Sequence, residues 1–537
     1  MKPFLDTDFL LETDTARMLY HEAASGLPVV DFHNHVDPVS LAENRMSATI
    51  GDLWVVSDPY KHRAMRINGI PEYYISGAAS PKEKFMRWAE TLPRTIGNPL
   101  FHWSCMELKS VFDIDEVLNE TNAEAIWDTC NQVIECKKLG ARDILKHWNT
   151  EIACTSDDLL DDLSQHVLAS RHAQASETVP ASETAPTSET VPASQTVLVS
   201  QTVLASHQGP AYLQVQASPN VLTSRNTPAS PNVPTSQTEN GLSIYPSLRG
   251  DSILAVETPG FFLWLERLAS IYGKIDHLDD YLEAIRSRLD VFTESGCRLA
   301  DHSLDAGFSF VTATQDGASN IFSKLIEKQK IISDERRLTK EEQLYLQSFL
   351  FQYLGKEYHQ RGWTLQLHIG ARRQTSSRLR SLAGSAGGYA CIGETCNVES
   401  LCLYLDSLEK DDSLPNLILY TLNPADNAVL ATLTGSFAED GIAGKIQFGP
   451  AWWYNDFQEG IKQQLLAVSG YGLLSRFIGM TTDSRSVLSF SRHDYFRRIL
   501  CNMLGSWVEK GQIPGDMSLL KQMVLDIAYH NSRKLFR

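Results

Sequence analysis

The sequence predicts a TIM-type (β/α)8 barrel with two insertions, a helical one after the first strand and a disordered low-complexity one after the second. Three observations predict it. Eight short apolar runs recur along the chain, each bounded by polar or turn residues. Segments with helical spacing, such as Phe261–Ile271 and Leu278–Phe292, lie between most of them, which is the pattern of parallel βα units. The chemically distinctive residues stand where the runs end, and in this fold the carboxyl ends of the strands carry the active site.

The first run, Pro28–His33, ends in Asp31-Phe32-His33-Asn34-His35. Side chains alternate faces along a strand, so two histidines separated by one residue can point the same way. Neutral imidazoles suit zinc and similar borderline metals. The stretch 39–148 then reads as mostly helical, with apolar residues at helical spacing over Pro81–Thr91 and Ala123–Lys138. It is expected to form a subdomain inserted above the barrel mouth, leaving 1–38 and 149–537 as the barrel. The second run is Ile152–Thr155. After it, residues 169–240 are rich in Ser, Thr, Pro, Ala, Val and Gln, and serine recurs every sixth residue from Ser176 to Ser206. Too little large apolar surface is available there to offset the entropy of ordering, so a disordered surface insertion is expected.

The next runs are Ser243–Arg249, Arg298–Asp301, Thr364–Gly370, Leu417–Asn423 and Lys445–Gly449. They bring Arg249, Asp301, His302 and His368 to strand ends, and Trp452 follows the last of them as a candidate pocket wall. Arginine suits bidentate recognition of a carboxylate. The eighth run, Arg476–Asp483, ends in Asp483-Ser484-Arg485. In a closed barrel strand eight lies beside strand one, so Asp483 is placed to join His33 and His35 on one metal ion, or to act as a base beside it. Two imidazoles and a carboxylate leave open coordination positions for water or substrate oxygens.

Composition narrows the function classes. The formal net charge of −17 disfavours non-specific nucleic-acid binding, and an anionic substrate then needs a locally basic pocket. The nine cysteines include no CxxC pair, which fits reduced thiols in a cytosol. No apolar run is long enough to span a bilayer, and the first residues lack the pattern of a secretory signal.

A series of motifs, in order, resembles the uronate isomerases, a branch of the amidohydrolase superfamily. They are FHNHVDP from Phe32, DPYKHRAMR from Asp58, NPLFHWSCMELK from Asn98, CTSDD from Cys154, YPSLRGD from Tyr245, CRLADHSLD from Cys297 and QLHIGA from Gln366. The C-terminal third adds LNPADNAVLAT, IQFGPAWWYND, GLLSRFIGMTTDSRS and SRHDYFRRILCN. The resemblance runs from about Phe4 to Gly515, outside the low-complexity insertion.

It implies an aldose–ketose isomerase of hexuronate breakdown, converting D-glucuronate to D-fructuronate and D-galacturonate to D-tagaturonate. It further implies a cytoplasmic homo-oligomer with a divalent metal, usually zinc, on His33, His35 and Asp483. Tyr60 would be the catalytic tyrosine, with Arg249, His368 and Arg485 on the substrate. Three positions depart from the family pattern. Pro59 stands where a histidine is usual, Arg372-Arg373-Gln374-Thr375 follows QLHIGA, and Ser491 replaces a proline. For the reaction, the metal and Arg485 would stabilise an enolate oxygen, and Tyr60 or Asp483 would carry the proton between C2 and C1. Tyr60 would need nearby cations to lower its pKa. Two other readings stay open: a metal-dependent hydrolase of the wider superfamily, kept alive by His368, and a non-catalytic uronate-binding relative, motivated by Pro59 and the insertion.

Overall fold

The computed structural model describes residues 3–175, 241–256, 258–329 and 338–537. Among these residues, seven strands form one parallel sheet: β1 (Val29–Asp31), β2 (Thr150–Asp158), β3 (Ser243–Arg249), β4 (Leu299–Leu304), β5 (Thr364–Ile369), β8 (Asn416–Thr421) and β9 (Ile446–Phe448). Their order in the sheet follows the chain, β1-β2-β3-β4-β5-β8-β9, and every pairing is parallel. Two short strands, β6 (Ala371–Arg372) and β7 (Cys391–Ile392), form a separate antiparallel pair in the segment after β5. Helices cover the sheet, so its strands are largely buried, and all six residues of β5 are. The architecture is a TIM-type α/β fold.

The predicted eighth strand is the main difference. Residues Leu474–Arg476 form a 3-10 turn, and Phe477 to Asp483 has no regular secondary structure and does not pair as a strand. The reason is local. Gly479 has φ +92° and lies so close to the Ile527 carbonyl that a Cβ would be 2.4 Å from its oxygen, so only glycine fits. Asp483 has φ +47°, which turns the chain sharply. The run nonetheless lies along β1. His33 N–H donates to the Thr481 hydroxyl at 2.8 Å, Thr482 N–H to the Asp31 carboxylate at 2.9 Å, Asp483 N–H to the His33 carbonyl at 3.0 Å and His35 N–H to the Ser484 carbonyl at 2.8 Å. Side chains thus supply part of the pairing a ladder would have made. Asp31, fully buried, also accepts from His493 at 2.9 Å and fixes helix Ser491–Glu509 to the same seam.

Other boundaries shift less. β4 runs to Leu304, so His302 lies inside the strand, and alternation sends it away from Asp301 toward the Tyr358 hydroxyl (2.8 Å). Between β1 and β2 every described element is helical, including Pro59–Ile67, Pro81–Thr91, Pro99–Phe112 and Ala123–Cys136. Residue 169, the expected start of the low-complexity insertion, lies within helix Ser164–Ala175, and the stretch from 176 to 240 lies outside the described residues. Among the described residues no helix is long and apolar enough to cross a membrane.

Candidate active site

One cavity of about 1020 Å³ opens at the carboxyl ends of the strands and is lined by His33, His35, Tyr60, Arg249, His368, Trp452, Asp483 and Arg485; of the strand-end residues the sequence singled out, Asp301 and His302 do not line it. Its floor is the seam between β1 and the eighth run. His35 Nε2 is 3.0 Å and His33 Nε2 3.4 Å from the same oxygen of Asp483. The other oxygen accepts from the indoles of Trp452 (2.6 Å) and Trp453 (2.5 Å). Trp453 has φ +49°, a conformation a bulky residue seldom adopts; together with the positive φ of Asp483 it concentrates backbone strain at this carboxylate.

The donor chemistry fits a divalent cation. One ligand atom each from His33, His35 and Asp483 lie within 4.8 Å of one another. Burial opposes ionisation of Asp483, but the hydrogen bonds from His33 and His35 outweigh it and hold the carboxyl well below its usual range. Burial likewise opposes protonation of His33, yet Asp483 and Asp301 together pull its pKa up. Two carboxylates flank one buried imidazole, and the surroundings demand positive charge. His35 is pushed down, chiefly by burial, and so offers a neutral nitrogen.

A second donor group shares His33 and adds Asp301 and His368. His368 stacks flat on Tyr420, with centroids 4.6 Å apart, and its Nε2 is buried without a hydrogen-bond partner, as is Asp301 Oδ2. Burial and the neighbouring His33 drive the His368 pKa well below 6.5, which keeps the ring neutral. Here positive charge is already supplied: Arg249 Nη1 is 3.7 Å from Asp301 Oδ2. The first group has no Lys or Arg within ion-pair reach among the described residues, so it is the better place for a metal.

The substrate side is basic, but its cations are partly engaged. Arg249 Nη2 meets Asp251 at 2.9 Å and Ser303 at 3.2 Å. Arg485 is exposed at the cavity rim and makes no hydrogen bond or ion pair with the described residues. Arg373, to which the sequence assigns no role, also lines the cavity and is held by Asp305 (2.8 Å) and Ser303 (2.9 Å). Its signal was the doubled arginine after QLHIGA; Arg372, the other member, points to Glu394 instead.

Tyr60 enters from the helical segment. Asp58 caps helix Pro59–Ile67, accepting from Tyr60 N–H at 2.8 Å and Lys61 N–H at 3.1 Å. Pro59 occupies the first helical position, where no backbone donor is needed and a fixed φ is favourable, so the departure from histidine costs the helix nothing. The expectation that cations would lower the Tyr60 pKa does not hold. Burial drives it well above 10, Asp483, Asp456 and Asp58 reinforce that, and Arg492 only partly opposes it.

The family model for glucuronate isomerase matches residues 1–187 and 232–536, so the match omits only the middle of the low-complexity stretch and one terminal residue. The chain is 40% identical over 537 residues to a uronate isomerase of Caldicellulosiruptor bescii, covering 100% of both chains. It is 36% identical to one of Bacillus licheniformis, covering 100% of this chain and 98% of the other. Its structure is similar to that of a uronate isomerase from Thermotoga maritima, with a TM-score of 0.80 at 28% identity over 100% of both chains. A glucuronate isomerase from Caulobacter crescentus shares the fold, with a TM-score of 0.78 at 21% identity over 99% of this chain and 97% of that one. The chain belongs to the glucuronate isomerase family.

Proposed function

We propose that the chain is a uronate isomerase that interconverts D-glucuronate with D-fructuronate and D-galacturonate with D-tagaturonate. The observation that carries this reading is the meeting of His33, His35 and Asp483 at one end of a cavity whose walls hold Arg249, Arg373 and Arg485. A sugar acid needs both ends: oxygens to be polarised and a carboxylate to be seated. A divalent cation, zinc by family precedent, would be held by His33, His35 and Asp483 and would supply Lewis acidity toward the substrate's C1 and C2 oxygens. Arg249, with Arg485 beside the Asp483 turn, would bind the anionic substrate; Trp452 and His368 wall the cavity beneath it.

Aldose–ketose exchange moves a proton from C2 to C1 and another from the C2 hydroxyl to the C1 oxygen, through an enediol. Two groups with pKa values pushed apart suit these two transfers. Asp483 stays ionised and is the proton acceptor facing C2, returning the proton to C1. Tyr60 stays a neutral phenol, so its hydroxyl can donate to the C1 oxygen while accepting from the C2 hydroxyl, with no net change of charge. Family precedent adds a cytoplasmic homo-oligomer, with 39–148 as an inserted helical subdomain on a barrel of 1–38 and 149–537.

A coupled assay of both hexuronates, with metal analysis of the same sample, tests the reading. The expected result is ketose formation that tracks bound metal, and a kcat reduced about 10²-fold in Tyr60→Phe with metal retained. Turnover of ester or amide substrates with none of either hexuronate would defeat it, as would near-wild-type turnover in both Tyr60→Phe and Asp483→Asn.

A further inference from the structure

The SRHDYFRRILCN motif brings Arg492 to a place the reaction has not yet used. Arg492 is 1% exposed, at the start of helix Ser491–Glu509. Its guanidinium packs against two rings of the helical segment, 4.9 Å from the centroid of Tyr60 and 4.0 Å from that of Trp103. Trp103 in turn meets Tyr60 edge-on, with centroids 6.2 Å apart. The same guanidinium reaches the other side of the site. Its Nη1 donates to the Thr482 carbonyl at 3.1 Å, one residue before Asp483, and lies 3.5 Å from the Asp456 carboxylate. Asp456 lines a small cavity beneath the active site together with His33, His368 and Asp483.

One planar cation therefore touches three pieces of chain that are remote in sequence: the helix carrying Tyr60, the turn carrying Asp483 and the segment after β9 carrying Trp452 and Trp453. A guanidinium suits this task because it stacks on aromatic faces while its in-plane N–H groups point at oxygens. An ammonium lacks the planar fork, so it cannot lie flat on a ring while directing in-plane N–H groups at two separate oxygens. Near-attack geometry is sensitive to shifts of about 1 Å, so a group that fixes two reacting side chains relative to one another acts on turnover without touching substrate.

We infer that Arg492 is a positioning residue that holds the Tyr60 phenol and the Asp483 carboxylate in register across the boundary between helical segment and barrel. This rests on Tyr60 and Asp483 acting together as described above.

The test is a double-mutant cycle on the full-length, metal-loaded protein, using Arg492→Lys and Arg492→Met alone and combined with Tyr60→Phe. If Arg492 acts through Tyr60, each single variant keeps its metal and KM within about threefold but loses kcat by about tenfold or more, and in the Tyr60→Phe background the further loss is under about twofold. Losses that multiply in the double variants, or a wild-type kcat in Arg492→Lys, would overturn it. Amide hydrogen exchange gives a reading independent of turnover, so the inference remains testable even if neither hexuronate is a substrate. Exchange should rise in Pro59–Ile67 and in 480–486 of Arg492→Lys while β2 to β5 stay protected. Unchanged exchange in those two segments would overturn the inference even if the wild-type enzyme isomerises both sugars.

Discussion

The two sides of the active site are built on different principles. The floor, where β1 meets the eighth run, is tied by backbone hydrogen bonds between the beginning and the end of the chain, with Asp31 standing in for missing ladder partners. The wall that carries Tyr60 is tied by buried charge. Lys61 Nζ sits 2.6 Å from Asp58 and 3.9 Å from Glu107, Glu107 accepts from the Trp54 indole at 2.5 Å, and Arg492 closes the group against Tyr60 and Trp103. Backbone pairing fixes a carboxylate rigidly enough to define a metal geometry. A buried ionic cluster fixes an aromatic side chain only while every member is paired, since removing one partner strands another charge. The floor should therefore fail chemically when altered, and the wall should fail through loss of order.

Asp483→Asn is the sharpest way to break that contrast. Removing the carboxylate takes away both the proton acceptor and a metal ligand, so turnover should fall by about 10³-fold or more while the melting temperature changes little. A variant that unfolds instead would place Asp483 among the structural residues. Arg249→Lys comes next. It keeps the charge but loses the planar fork, and KM for either hexuronate should rise about tenfold with a smaller change in kcat.

The wall offers a pH test. Burial lowers the His62 pKa from 6.5 to about 4, and its ring N–H donates to the Val55 carbonyl at 3.0 Å. The folded state keeps this ring neutral while the unfolded chain protonates below 6.5. Stability is therefore full above pH 6.5 and is lost as pH falls toward 4, by up to about 3 kcal/mol. Denaturant midpoints for wild type and His62→Gln at pH 7 and pH 4.5 would show a smaller acid loss in the variant. Equal losses would remove His62 from the account. The smallest effect belongs to Pro59→His, which restores the usual family residue at the first helical position. Stability should change by under about 1 kcal/mol and kcat by less than about threefold. A large gain in kcat would show that the proline limits Tyr60.

What the sequence made legible follows the same division. His33, His35 and Asp483 could be paired from sequence because strand order alone brings run eight to run one. The irregularity of run eight was hidden, because the apolar pattern of Phe477 to Met480 does not reveal that Gly479 and Asp483 take positive φ. Arg373 was visible as a residue, but its place on the cavity wall depends on β4 running on to Leu304, which brings up Ser303 and Asp305 to hold it, and on the segment after β5 folding back as β6 and β7. The direction of the Tyr60 pKa was beyond sequence reading, since it is set by burial and by three carboxylates from separate parts of the chain. Arg492 lay in a quoted motif, but nothing in that motif says its side chain crosses from barrel to helical segment.

Titration of metal-stripped protein with Zn²⁺ tests the shared ion most directly, with the dissociation constant measured for wild type, His33→Ala, His35→Ala and Asp483→Asn and with Arg249→Lys as control. One site per chain is expected. Each of the three ligand variants should bind at least about 10²-fold more weakly, and the control should bind as wild type does. Wild-type affinity in any one of the three would contradict the claim that these side chains share one ion.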